Sequence, residues 1–145
     1  AGYYRNEEAT KMVLDADGWL HSGDLGLMDK EGFIFIKGRS KSMVLGPSGQ
    51  NIYPEEIESI INNRACVAEA IVVQRNNQLV ALVCPDEDVV EAKGMSNDDV
   101  LNKFEEYRKK INENLPAYLK IARFEIHSEP FEKTPKLSVK RFLYR

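Results

Sequence analysis

The chain has 145 residues, enough for one domain with a short appended piece and a core that removes roughly 68% of the unfolded surface from water. Its 20 Lys and Arg against 23 Asp and Glu leave a formal charge of −3, which excludes a nucleic-acid binder working by bulk positive charge and an acidic disordered tail. No apolar run approaches the ~20 residues of a bilayer span and no signal peptide opens the chain, so a soluble, cytoplasmic protein is expected.

Residues 1–24 are polar and turn-rich, with Gly2, Gly18 and Gly23 as breakers and Tyr3, Tyr4 and Trp19 as aromatic anchors, and are not expected to fold alone. The chain opens Ala1-Gly2-Tyr3 without Met, and this start reads as the middle of a longer protein, reached by processing or excision. From Leu25 to Lys37 two short apolar runs flank Asp29-Lys30-Glu31-Gly32, which predicts a β-hairpin with a four-residue turn. A ribbon of two strands needs a partner surface. The hydrophilic joint Lys37-Gly38-Arg39-Ser40-Lys41-Ser42 follows, then the apolar run Met43-Val44-Leu45 and the loop Gly46-Pro47-Ser48-Gly49-Gln50-Asn51. Pro54 opens a helix where its missing N–H costs nothing. Glu55 and Glu56 match the helix dipole there, and Ile57, Ile60 and Ile61 supply an apolar stripe.

Val67 to Val73 and Leu79 to Cys84 read as two strands joined around Arg75-Asn76-Asn77-Gln78 and closed by Pro85-Asp86-Glu87-Asp88. Cys66 and Cys84 lie in apolar stretches, where cysteine acts as a small buried hydrophobe, and two cysteines without a secretion signal give no case for a disulfide. Ser96 and Asp99 resemble a capping box at the start of the clearest amphipathic helix, which carries Val100, Phe104, Tyr107, Ile111 and Leu115 on one face and stops at Pro116. Ala122, Phe124 and Ile126 alternate with Arg123 and Glu125 as a half-buried strand. The tail from residue 130 is basic, with Lys133, Lys136, Lys140, Arg141 and Arg145. From Lys41 onward the order strand, helix, hairpin, helix, strand predicts an α+β fold, a small mixed or antiparallel sheet covered by helices on one face.

Generic chemistry is sparse. His21 and His127 are far apart, with no cysteine at ligand spacing from either, so no metal site is expected. Glu55 and Glu56 read better as a dipole-matched helix start than as an acid/base pair. Neither a Walker A loop nor a dinucleotide glycine fingerprint is present. On these signals alone the chain is an α+β interaction module.

A series of short motifs in fixed order is more specific. Gly2-Tyr3-Tyr4, Asn6-Glu7-Glu8-Ala9-Thr10, Asp17-Gly18-Trp19-Leu20-His21-Ser22-Gly23-Asp24-Leu25-Gly26, and Gly32-Phe33 leading to Gly38-Arg39 together resemble the region approaching the hinge of adenylate-forming acyl-CoA synthetases. Gly49-Gln50-Asn51-Ile52-Tyr53-Pro54-Glu55-Glu56-Ile57-Glu58 and Asn114-Leu115-Pro116-Ala117-Tyr118 look like later segments of the same family, and the Asp17 to Gly26 stretch is similar to its fatty-acyl-CoA ligase branch.

That resemblance implies the C-terminal part of an ATP-dependent acyl-CoA ligase. ATP and a carboxylic acid, expected to be a fatty acid, give an acyl-adenylate and pyrophosphate, and CoA then displaces AMP. Residues 1–38 would be a ribbon from the tail of a large AMP-binding domain that is not in the chain, residues 39–42 a hinge, and residues 43–145 a C-terminal lid domain. The partner is then the protein's own N-terminal domain, which would also hold Mg. The fragment alone would be inactive. Asp24 matches an aspartate that accepts from the ribose hydroxyls, as an acceptor-only carboxylate can, and Arg39 matches an arginine that contacts the nucleotide. Lys41 falls at the hinge, where a few residues absorb the dihedral change between two arrangements. Ser48, Gly49 and Gln50 match the loop lining the pantetheine tunnel of CoA, where a Cβ would obstruct close backbone approach.

One departure stands out. The family carries, near its end, a lysine in a Thr-Pro-x-x-Lys or Ser-Gly-Lys context that bridges the acid carboxylate and the α-phosphate. Here Lys133-Thr134-Pro135-Lys136-Leu137-Ser138-Val139-Lys140-Arg141 puts Ser138 at the ungapped position. Lys140 and Lys136 are the candidates, with Lys140 favoured, and strand alternation would keep Lys136, Ser138 and Lys140 on one face. A solvated basic tail is the alternative. Two other readings stay open: a non-catalytic interaction module sharing the fold, and a family member acting on an aryl acid or delivering to a carrier protein in place of CoA.

Overall fold

A computed structural model describes residues 2–144; Ala1, the first residue of the expected ribbon, and Arg145, the last of the basic tail, lie outside the described residues. The chain divides into two compact units, residues 1–41 and 42–145.

In the first unit the stretch expected to be irregular opens with a helix, α1 (Glu7–Val13), capped by Asn6, whose side chain accepts from the Ala9 N–H at 2.9 Å. Glu7 and Glu8 sit in its first turn, and it buries no residue, so no apolar stripe marks it in the sequence. The expected hairpin forms as β1 (Asp24–Met28) and β2 (Ile34–Arg39), antiparallel, with Asp24 opposite Arg39 and a bulge between Leu25 and Gly26. Its turn is closed by Asp29, whose Oδ1 accepts from the N–H groups of Glu31 and Phe33, both at 2.9 Å. Phe33, Ile34, Phe35 and Ile36 are each more than half exposed.

The second unit begins with a small hairpin, β3 (Val44–Leu45) and β4 (Asn51–Ile52), followed by α2 (Pro54–Asn62), with Pro54 in its first turn as predicted. Then come β5 (Val67–Arg75), β6 (Gln78–Pro85), the short helix α3 (Glu87–Ala92), the long helix α4 (Asn97–Glu113) and β7 (Ile121–Ile126). The sheet order is β5-β6-β7, with β5 and β6 antiparallel and β6 and β7 parallel. The β5–β6 turn has two residues, Asn76 and Asn77, both at positive φ of 49° and 60°, which twists it as the strands require. The Ser96 and Asp99 capping box closes in both directions, at 3.2 and 2.8 Å. Cys66 and Cys84 are free and buried.

Two apolar layers sandwich the sheet. On one face Ile57 and Ile61 of α2 and Val100, Phe104, Tyr107 and Ile111 of α4 pack on Ala70, Val72, Ala81 and Val83. Ile60, expected in the α2 stripe, is exposed, and Glu58 is buried instead at 7% exposure. In β7 the alternation is also offset: Ile121 is buried, whereas Ala122 and Ile126 are exposed, because the register with β6 shifts between Leu79 and Val80. The other face of the sheet, Ile71, Val73, Val80, Leu82 and Cys84, is covered by the tail through Phe131, 3% exposed, with Val139 and Tyr144. The basic tail is therefore a packed layer rather than a solvated end.

Edge strand β5 is closed by side chains rather than by another strand. Its outward N–H groups at Ala70 and Val72 donate to Asn62 Oδ1 and Glu58 Oε1 of α2, each at 2.7 Å, and Gln74 Nε2 donates to the Leu45 carbonyl at 2.9 Å. Glu58 and Asn62 are one helical turn apart, so one face of α2 meets successive outward groups of the strand.

Candidate functional site

Asp24 and Arg39 are brought together at one end of the ribbon, where Arg39 Nη1 donates to Asp24 Oδ1. The Ser40 N–H donates to the Gly23 carbonyl at 2.9 Å and closes this end, with Gly23 at φ 78°. An acceptor-only carboxylate beside a guanidinium, partly exposed, can offer oxygens to hydroxyl groups and a cation to a phosphate. The preceding loop is organised by Asp15, which accepts from the N–H groups of Trp19 at 2.8 Å and Asp17 at 3.1 Å and faces His21 Nε2 at 3.1 Å. The Trp19 N–H above all, with His21 and the Asp17 N–H, holds the Asp15 carboxyl below its ordinary range against the opposing effect of desolvation. His21 is thus a loop partner, and no group of three or more potential metal ligands occurs among the described residues.

Lys41 is the last residue of the first unit. Ser48, Gly49 and Gln50 form the tip of the β3–β4 hairpin, where Gly46 N–H donates to the Gln50 carbonyl at 2.7 Å and Gly49 N–H to the Gly46 carbonyl at 3.0 Å. Crowding within the chain is not what selects glycine here: a Cβ on Gly49 would meet nothing within 4 Å, whereas its φ of 83° lies in the left-handed region. The crowded position is Gly46, whose Cβ would come within 3.0 Å of Gln50 Oε1. Pro47 of this loop lines an open cleft with Gln74, Arg108, Asn112, Tyr118 and Lys120.

The tail holds Lys136 and Lys140 in different settings. Residues 132–140 fold back on themselves: Lys140 N–H donates to the Glu132 carbonyl and Thr134 N–H to the Ser138 carbonyl, both at 2.8 Å, and Lys133 pairs with Val139. The strand alternation expected to align Lys136, Ser138 and Lys140 is broken by a turn, with Leu137 at φ 59°. Lys136 is exposed on this turn. Lys140 lies at the base, its Nζ 3.0 Å from Glu132 Oε2 and about one third exposed. The tail hairpin lies on the sheet face opposite α2 and α4, so the structure does not join it to the Ser48–Gln50 loop within this unit.

Sequence reasoning missed the residue that ties this tail down. Arg141 grips buried Glu58 with two hydrogen bonds of 2.5 Å, Nη1 to Oε1 and Nη2 to Oε2, while Glu55 Oε1 lies 3.8 Å away. Burial works against the charged guanidinium, but the hydrogen bonds and charge of Glu58, with Glu55, outweigh it and raise the Arg141 pKa. Removing one partner of such a pair costs about 3–5 kcal/mol because a buried charge is stranded. Nothing in Pro54-Glu55-Glu56-Ile57-Glu58 distinguishes the buried glutamate from half-buried Glu55 and exposed Glu56, since the signal is the position of an edge strand further along the chain. Arg75 adds a second tie, donating to Glu125 Oε2 at 2.7 Å and to the Tyr144 carbonyl at 2.9 Å.

Comparison with known proteins gives these residues a context. The family model of the AMP-binding enzyme C-terminal domain matches residues 41–144. The chain is 37% identical over 113 residues to a long-chain-fatty-acid–CoA ligase of Gallus gallus, covering 76% of this chain and 15% of the ligase. It is 31% identical over 146 residues to a 2-succinylbenzoate–CoA ligase of Bacillus cereus, covering 99% of this chain and 27% of the ligase. The O-succinylbenzoate coenzyme A synthetase of Bacillus subtilis in complex with AMP is similar at a TM-score of 0.70 and 27% identity, over 99% of this chain and 27% of that one. The same synthetase has been solved with ATP and a magnesium ion. This chain spans 15% and 27% of the length of the two ligases. With residues 41–144 matched and a small α+β unit formed by nearly the same span, the chain belongs to the AMP-binding enzyme C-terminal domain family.

Proposed function

We propose that this chain is the hinge and C-terminal lid of an ATP-dependent acid–thiol ligase, with residues 1–38 the last ribbon of its large domain, residues 39–42 the hinge and residues 43–145 the lid. The observation that carries the reading is the family match over residues 41–144, joined to relatives that are CoA ligases. The exposed apolar run from Phe33 to Ile36 supports the ribbon's place in a larger sheet, since a two-stranded ribbon alone is marginal in water. A cytoplasmic location goes with this reading, because ATP and CoA are drawn from that pool.

The chemistry follows in two displacements. The acid carboxylate attacks the α-phosphorus of ATP and expels pyrophosphate; the CoA thiolate then attacks the acyl carbonyl carbon and expels AMP. Asp24 would accept from the ribose hydroxyls and Arg39 would meet a phosphate oxygen, each giving up part of its present pairing. Lys140 would bridge the acid carboxylate and the α-phosphate, offsetting the charge that collects there. It is preferred to Lys136 because its backbone is fixed at the base of the tail hairpin, which lowers the cost of holding the ammonium in place. Ser48, Gly49 and Gln50 would line the path of the pantetheine arm, and Lys120 in the adjoining cleft is a cation an anionic coenzyme would meet. Magnesium would enter with ATP and be held by the large domain. Lys41 would absorb the rotation between the two half-reactions.

A fatty acid is the proposed substrate, and an aryl acid is the second reading, favoured by the 2-succinylbenzoate ligases among the relatives. Incubating the intact protein with ATP, magnesium, CoA and either a long-chain fatty acid or an aryl acid, and following pyrophosphate, separates them. Acid-dependent release with the fatty acid is expected; release only with the aryl acid would transfer the assignment, and release with neither would leave an interaction module.

A further inference from the structure

We infer that Arg141 is a positioning residue for Lys140, anchored by Glu58 to the edge of the sheet. The inference rests on the reading of Lys140 as the adenylating lysine. Lys140 is the only candidate whose neighbour in the chain is locked into the body of the unit. Arg141 begins a short 3₁₀ turn, Arg141–Leu143, and its guanidinium is clamped by both oxygens of Glu58 at 2.5 Å. Glu58 is itself fixed, because Oε1 also accepts the Val72 N–H at 2.7 Å. One carboxylate therefore joins a helix, an edge strand and the residue that follows Lys140.

The clamp fixes where the lysine stem starts, and Glu132 fixes where its head rests. Lys140 N–H donates to the Glu132 carbonyl at 2.8 Å, and Lys140 Nζ pairs with Glu132 Oε2 at 3.0 Å, the carboxylate being mostly exposed. An exposed pair of this kind is weak, so the ammonium can leave it for a substrate. The strong contact sits on Arg141 and the weak one on Lys140, so the base of the side chain is held while its head remains able to move. Two further ties hold the same segment: the Glu132 N–H donates to the Tyr144 hydroxyl at 2.7 Å, and Arg75 donates to the Tyr144 carbonyl. A stem shifted by even about 1 Å would weaken the contact between ammonium and reacting oxygens, and such misplacements can cost on the order of 100-fold in rate.

The test uses the intact protein and measures each half-reaction separately: acid-dependent pyrophosphate release, and thioester formation from supplied acyl-adenylate. Three variants carry it: Arg141→Met, the paired E58Q/R141M that leaves no charge stranded at position 58, and Arg141→Lys, which keeps the charge but not the two-pronged grip. The expected result is a fall in adenylation on the order of tenfold or more in the first two. Arg141→Lys should lie between them and the wild type. Thioester formation should stay within about threefold throughout, with thermal midpoints of E58Q/R141M and Arg141→Lys close to wild type. Unchanged adenylation in a folded variant, or equal loss of both half-reactions in step with the thermal midpoint, would overturn the inference. Lys140→Ala, run alongside, separates the two layers. If it abolishes adenylation while the Arg141 variants do not matter, only the positioning role fails; if it leaves adenylation intact, the reading of Lys140 fails and the positioning role with it.

Discussion

Single residues carry most of what this chain says about chemistry, and they differ in how openly the sequence shows it. Asp24 and Arg39 stand out as candidates because each sits in a motif of unusual residues, but what sets them opposite one another is the bulge between Leu25 and Gly26, which moves the register set by the turn on by one residue. On the proposed function, Asp24→Asn should raise the KM for ATP about tenfold or more, since a charge-assisted hydrogen bond contributes roughly 1.5–3 kcal/mol; pyrophosphate-release kinetics in the intact protein measure it, and an unchanged KM would remove Asp24 from the nucleotide site. Gly49 makes a sharper case. Because a Cβ there meets nothing within 4 Å, Gly49→Ala should destabilise the unit only by the left-handed backbone cost of roughly 1–2 kcal/mol. A selective loss of thioester formation beyond that would mark close approach by CoA, and unaltered thioester kinetics would count against the loop assignment. Glu58 and Arg141 were not legible at all: a buried glutamate among Glu55, Glu56 and Glu58 has no local signature, and its partner lies 83 residues away.

At the scale of elements, periodicity and caps did most of the work where an element buries one face. Helix α4 shows this, with Val100, Phe104, Tyr107 and Ile111 at helical spacing and a closed capping box. Elements that bury nothing left no such trace, which is why α1 and α3 escaped although Asn6-Glu7-Glu8 and Asp86-Glu87-Asp88 each combine a capping residue with an acidic first turn. The tail misled for a different reason: its lysines are solvated while Phe131, Val139 and Tyr144 pack, so charge count hid an apolar layer. A helix cap and a strand ion pair also set a response to acid. Asp99 is held below 3.8 by hydrogen bonds from Ser96, backbone first, and Glu125 below 4.5 by Arg123 first, against burial, with Arg75 helping. A depressed folded-state pKa contributes stability that is present above the unfolded value and lost as pH falls through the folded one. Denaturant unfolding of the chain should therefore show stability that is level above about pH 5 and declines progressively below it. Ser96→Ala should cost about 1 kcal/mol at neutral pH and flatten part of that acid limb. A stability that rises on acidification would contradict both attributions.

For the whole molecule, composition said little and motif order said much. A near-neutral 145-residue chain with no metal ligands at useful spacing has no generic signature of an enzyme, yet its ordered motifs place it in a family that the match over residues 41–144 bears out. On the proposed function the sequence leaves the acid open, because the groups proposed for chemistry would serve ATP and CoA rather than an acyl chain. On the proposed function the chain should not work alone, and the exposure of Phe33 to Ile36 on its ribbon fits a missing partner surface. The most direct measurement is acyl-CoA formation by the 145-residue chain and by the intact protein, side by side with ATP, magnesium, CoA and a panel of fatty and aryl acids. The account predicts no product from the chain alone and acid-dependent acyl-CoA from the intact protein. Product from the isolated chain, or none from the intact protein with any acid, would contradict it.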